Sequence, residues 1–336
     1  MTFAKRILLL VFILQLGGLI PALAPALAAD EPLLSEQEVQ GAMTRLVSVV
    51  EKKYIREDAR QDTVELLNTA LQRGELNGPF SFGRLKIKLE SLLYSVSQDS
   101  NFELHWRSGL NGSAMASDEL PGTLQTQMLD GGIGYLAVDG DLFDTQWQAE
   151  IDKAMAFLAG SQAIVIDLRS AGMSSLPLSQ HFLSHFMPEG QPLSMVTLAH
   201  QQRTPLLAQP VASPVRSDKP LLIVTSPFIA GSWEFVAFTL QQADRATIVG
   251  MPTIGLGYMT TVEQLSEHLS MVIAYAELQH PQTGDSWKNS GVIPDVQTDA
   301  DQAMSVALEL ATEALSINRS LLIKKGHKCL CPLTGC

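Results

Sequence analysis

Val39, Ala42, Met43, Leu46, Val49 and Val50 recur three and four residues apart, which predicts a helix with one buried face. Ser35 and Glu38 stand just ahead of it with the spacing of a capping box. A second helix is expected around Val64, Leu67 and Leu71, and a third through Leu85, Leu89, Leu92 and Val96. Gly78-Pro79 marks the break between those two. Together they read as a small helical bundle ending near Asn101.

From Gly132 the period changes. Ile133 to Val138 reads as a strand, followed by a helix from about Asp144 to Leu158. Ala163 to Leu168 is an unbroken apolar run between turn signals, the pattern of a strand buried on both faces. A helix over 178–186, a strand at Leu221 to Thr225, a helix from Ser232 to Leu240 and a strand at Ala246 to Gly250 continue the alternation. Further strands are expected near 196 and over 271–276. A closing helix spans Asp301 to Leu315, with Ala303, Val306, Ala307, Leu310 and Ala311 turned inward. Strands alternating with helices predict an α/β (mixed α and β) core. Gln201 to Asp218 carries three prolines and no period, and reads as a long loop.

The first residues add a compartment. Lys5 and Arg6, an apolar run from Ile7 to Ile20 and the small residues Ala26 to Ala29 form the pattern of a cleaved signal peptide over 1–29. The mature protein is then expected to be periplasmic or secreted. The expected division is 30–115 for the helical domain, 130–316 for the core, and 317–336 for a basic tail with Lys324, Lys325 and Lys328. A net charge of −12 argues against nucleic acid as a partner, and 46% hydrophobic residues suit a well-packed globule. Cys329, Cys331 and Cys336 all lie in the tail, so the core folds without disulfides. Their spacing, with His327 nearby, matches no zinc template.

Four segments in order carry a likeness to a known family: Gly132 to Val138, Ile164-Val-Ile-Asp-Leu-Arg169, Thr225 to Gly250, and Gly291-Val-Ile-Pro-Asp-Val296. They resemble the tail-specific (carboxyl-terminal processing) proteases, peptidase family S41. The likeness covers about residues 35 to 315 and implies a ClpP/crotonase-like core. The stretch between Asn101 and Gly132 is too short for the PDZ domain that many members carry. That aligns the chain with the interphotoreceptor retinoid-binding-protein-like branch.

The resemblance also implies a site, and three of its parts depart from the family pattern. The family's serine nucleophile precedes a helical glutamate by three residues; Glu234 matches the glutamate, and the nucleophile position is Gly231. The family's lysine base sits in a Gly-Lys-Gly turn, which here is Gly255-Leu256-Gly257. The family's oxyanion loop has an asparagine and paired glycines where this chain has Ala171, Met173 and Ser174. Backbone N–H groups survive substitution, but glycine-only conformations that aim them do not.

A serine needs a base to remove its proton, so no catalytic set is intact. Ser232 is the candidate for a displaced nucleophile, but on a helix it is rotated by about 100° from position 231, and capping is its plainer role. Ser226 is a weaker candidate. The expected cleft is lined by Gly172, Met173, Gly231, Ser232, Trp233, Leu256 and Tyr258, apolar enough for a hydrophobic ligand or an extended peptide. A serine endopeptidase acting on unstructured or C-terminal segments is the rival reading, and a homo-oligomer or a partner protein is left open. His181 and His185 share a helical face at a spacing that can bind metal, yet the sequence offers no third ligand, so no metal and no cofactor are expected. Asp167 with Arg169, and Pro294-Asp295, are read as structural.

Overall fold

The structure is a computed structural model that describes residues 33–106, 122–142 and 146–328, with side chains through 317. The expected leader over 1–29 and Cys329, Cys331 and Cys336 lie outside the described residues. A short strand β1 (Leu33–Leu34) leads into α1 (Glu36–Lys53), whose buried residues are the six that the apolar pattern marks. Ser35 caps α1 by accepting from the Glu38 amide at 3.2 Å. Glu38 does not turn back to complete the box. Its carboxylate accepts from Ser266 Oγ and lies against His268 Nδ1, both at 2.9 Å, which ties the helix to a distant part of the chain.

The helices α2 (Glu57–Gln72) and α3 (Phe82–Ser97) follow, with β2 (Phe80–Ser81) between them pairing with β1. On α3 the buried row is Leu85, Leu89, Leu93 and Ser97, so Leu92 and Val96 are only half-buried. The stripe follows the i, i+4 row and lies one position away from the expected one. β3 (Glu103–Trp106) then leaves the helices for a sheet.

The central sheet holds β4 (Thr123–Leu129), β5 (Ile133–Leu142), β6 (Ala163–Ser174), β9 (Leu221–Thr225), β10 (Thr247–Gly250) and β13 (Val296–Gln297), in the order β13-β10-β9-β6-β5-β4. All neighbours are parallel except β4 with β5. Alternate residues of β6 enter different cores. Ile164, Ile166 and Leu168 pack beneath α4 (Gln146–Leu158), α5 (Leu176–Ser184) and α6 (Ser232–Gln242), whereas Ala163 and Val165 pack on Ala303, Ala307 and Ala311 of α7 (Ala303–Lys328). An unbroken apolar run is what burial on both faces requires. Val306 and Leu310 of α7 lie at the margin of that core.

The second sheet runs β11-β12-β7-β8, from β7 (Pro192–Leu198), β8 (Arg203–Leu207), β11 (Tyr258–Gln264) and β12 (Leu269–Gln279), with β3 also on β12. The expected loop from Gln201 to Asp218 is therefore corrected at its start. β8 pairs antiparallel with β7 across a tight turn in which His200 and Gln201 take positive φ. An exposed edge strand with a proline carries no apolar alternation, which hides it from a periodicity reading.

β12 belongs to both large cores. Leu269, Met271, Ile273 and Ala274 pack with the N-terminal helices, and Ala276 and Leu278 with the central sheet. A strand shared in this way couples the two regions. We expect one cooperative urea transition reported identically by fluorescence and far-UV circular dichroism. Leu46→Ala, in the helical core, should lower its free energy by about 2–5 kcal/mol. Two separated transitions would contradict the shared-strand arrangement.

Candidate functional site

β9 ends at Thr225, and a turn through Ser226 to Ala230 delivers Gly231 to the N-cap of α6. Gly231 has φ 56° and ψ −112°, a conformation that strains any side chain-bearing residue. A Cβ built on it meets no atom within 4 Å. The backbone thus holds this position toward open space and presents no side chain there.

Glu234, one turn into the helix, is completely buried and organises the surroundings. Its Oε2 accepts from the amides of Gly231 and Leu256, both at 2.9 Å. Its Oε1 accepts from the Gly255 amide at 2.6 Å and the Thr253 hydroxyl at 2.5 Å. Burial pushes this carboxyl above its ordinary range, and the four hydrogen bonds work in the opposite direction. One side chain therefore fixes the 231 position against the 255–257 turn. That turn is seated from behind as well, because Trp287 Nε1 donates to the Leu256 carbonyl at 3.1 Å and Gly257 lies flush on Lys288.

Met173, at the far end of β6, supplies the third side. β6 does not leave the sheet at the expected oxyanion loop. It stays paired with β5, Gly140 opposite Ala171 and Leu142 opposite Ser174. The Met173 amide donates to Asp141 Oδ1 at 2.5 Å, and a Cβ on Gly172 would stand 2.2 Å from the same oxygen. An amide engaged by a resident carboxylate is not free to stabilise a second negative oxygen.

Between these parts lies a cavity of about 150 Å³ lined by Ser100, Asn101, Glu103, Met173, Gly231, Leu256, Tyr258, Thr260 and Val272. Of the expected cleft, Met173, Gly231, Leu256 and Tyr258 meet there; Met173 and Leu256 are each 39% exposed. Gly172, Ser232 and Trp233 are not among its walls. The Ser232 hydroxyl is buried and donates to the Ser174 carbonyl at 2.6 Å, so it joins α6 to β6. Trp233 points into the core, where it meets Phe182 edge-on at 5.4 Å. Ser226 donates to the Arg169 carbonyl at 3.2 Å.

Asp167 receives both Nε and a terminal nitrogen of Arg169, and Asp295 accepts from the Ile248 amide at 2.7 Å, so each braces a strand end. Sequence reasoning missed Asp141 and the wall residues Ser100, Asn101 and Glu103, because each reaches the site only through tertiary packing. It also found no third partner for His181 and His185; α4 supplies Asp152.

The clamp makes a direct prediction. In Glu234→Gln, one amide group must face the N–H donors that now reach a carboxylate oxygen. We expect a loss of about 2 kcal/mol or more of unfolding free energy in urea denaturation. Unchanged stability would mean that the carboxylate does not hold the two turns together.

Comparison with known proteins agrees with this architecture. A family model, Peptidase family S41, matches residues 132–298. The chain is 25% identical over 199 residues to a carboxyl-terminal-processing protease of Synechocystis, covering 55% of this chain and 45% of that protein. It is 26% identical over 191 residues to a chloroplastic C-terminal processing peptidase of Tetradesmus obliquus, covering 56% and 39%. The match thus spans less than half the length of these curated relatives. Two solved structures share the fold over most of the chain. A lipoprotein from Streptococcus agalactiae matches with TM-score 0.59 at 13% identity, over 84% of this chain and 98% of its own. A candidate peptidase from Parabacteroides merdae matches with TM-score 0.55 at 15% identity, over 83% and 97%. None of these matches bears on the retinoid-binding-protein-like branch. The mixed α/β fold and the family-model match together mean that residues 132–298 of this chain form a domain of peptidase family S41.

Proposed function

We propose that this protein is a non-catalytic member of its family that binds an extended peptide in the remnant of the active-site cleft. The observation that carries the reading is Gly231. It faces open space at the family's nucleophile position, its backbone takes a positive φ that suits glycine, and it has no side chain to present. Leu256 occupies the base position with no group able to take a proton, and the Met173 amide is engaged by Asp141. Ser232, which a rival endopeptidase mechanism would need, has its hydroxyl committed to a backbone carbonyl.

The size of the cavity favours a peptide over a retinoid-sized ligand. Sites for drug-sized molecules enclose about 300–1,000 Å³, and this one has about 150 Å³. It suits a single side chain. Tyr258 and Thr260 line it from β11, an edge strand whose outer backbone groups can pair with an extended chain. Export follows from the leader pattern in the sequence, and no described helix is long and apolar enough to cross a membrane.

Two measurements check the reading. Casein incubated with the leader-free protein should remain intact. Unstructured peptides should bind in fluorescence anisotropy, and Leu256→Asp should weaken them by about tenfold, a difference of about 1.4 kcal/mol. Casein cleavage that disappears in Ser232→Ala would replace this reading with the endopeptidase. Binding indifferent to position 256 would move the site elsewhere.

A further inference from the structure

Away from the cleft, a second cluster joins three side chains that the sequence keeps apart. His181 lies on α5 and His185, one turn on, is its C-cap; Asp152 faces them from α4. His181 Nε2 is 2.8 Å and His185 Nε2 3.0 Å from the same carboxylate oxygen, Asp152 Oδ1. The two rings stand perpendicular with centroids 5.1 Å apart, so both nitrogens converge on one point.

His185 is the informative member. Its side chain is fully buried, and its Nδ1 is 3.0 Å from the Ser213 carbonyl. A carbonyl can only accept, so Nδ1 carries a proton and donates it there. In the neutral ring, Nε2 then holds a lone pair, and that lone pair is aimed at a carboxylate oxygen. Two acceptors facing each other at 3.0 Å repel unless a proton, which makes the ring an imidazolium, or a metal ion lies between them. A protein carbonyl on the outer nitrogen is the arrangement that fixes metal-binding histidines. The Ser213 segment is itself secured: the Val215 amide donates to the His185 carbonyl at 2.6 Å and the Gln209 amide to Ser184 Oγ at 2.8 Å.

We infer that Asp152, His181 and His185 form a binding site for one divalent transition-metal ion of the zinc type. Ligand bonds of about 2.0–2.1 Å in a tetrahedron set donor atoms about 3.3 Å apart, so a small shift of Asp152 Oδ1 away from the two ring nitrogens brings its separations of 2.8 and 3.0 Å to that spacing. Two imidazole nitrogens and one carboxylate oxygen suit zinc by donor type. Asp152 is about half exposed, which leaves that side open for a water as the fourth ligand. The ion would staple α4 to α5. Ser175 caps α5 directly after the β6 segment that holds Met173 and Ser174, so the staple steadies the helix that leaves the cleft wall.

The test uses the full mature chain, freed of metal by dialysis against chelator. Zinc is titrated against a chromophoric chelator, and cobalt substitution is followed by visible absorption. A Cys329→Ser, Cys331→Ser, Cys336→Ser variant separates this site from the thiols of the tail. The expected result is one zinc per chain, kept by the cysteine variant and weakened by about 100-fold or more in His181→Ala. A tetrahedral cobalt spectrum should appear in the cysteine variant and vanish when His181 is also replaced. Asp152→Asn, on the other helix and at the exposed side of the cluster, gives the same reading should His181→Ala fail to fold. Absence of zinc binding, its loss in the cysteine variant, or its survival in both ligand variants would overturn the inference.

Discussion

The buried carboxylate of Glu234 is the constraint on which the cleft depends. A carboxylate with no access to water is stable only if its oxygens are supplied with donors. Here the donors come from two separate pieces of chain: the Gly231 turn and the segment from Thr253 to Leu256. Satisfying that one group fixes where each piece lies. Thr253 extends the network, since its hydroxyl also accepts from the Val292 amide at 2.8 Å. The frame of these turns therefore rests on Glu234 and not on a side chain at position 231 or 256.

A second constraint operates at larger scale. β12 runs through both large cores, so the N-terminal helices complete the second sheet and do not stand off as an appendage. β3 and the turn before it carry this arrangement into the site, because Ser100, Asn101 and Glu103 form one wall of the cavity. The helical region thus shapes what the cleft can hold. Its narrowness is a consequence of that packing.

The parts legible in the sequence are those governed by short-range periodicity. The buried face of α1, the doubly buried β6 and the three alanines of α7 follow from spacing alone. β3, β4, β8 and β11 lack that signal, because they are short, exposed along much of one face, or paired with strands far away in sequence. At the site, the empty position at Gly231 and the leucine at 256 are visible in the residues themselves. The Asp141 carboxylate on the Met173 amide is not, since it depends on β6 remaining in the sheet past Ala171. Trp233 shows the opposite error: a large apolar residue beside the nucleophile position reads as cleft lining, whereas its place on the helix turns it into the core. The Asp152, His181 and His185 cluster was half legible, as an i, i+4 pair whose third member arrives from another helix.

The clamp, the Met173 amide engaged by Asp141 and the tied Ser232 hydroxyl support the proposal that this frame has lost its chemistry. The most direct test is to treat the wild-type protein with a fluorophosphonate serine-directed probe and measure its intact mass. The account predicts an unchanged mass after prolonged exposure, because no described serine at the cleft combines an accessible hydroxyl with a base. A single adduct that maps to Ser232 would contradict it and establish a rebuilt catalytic serine.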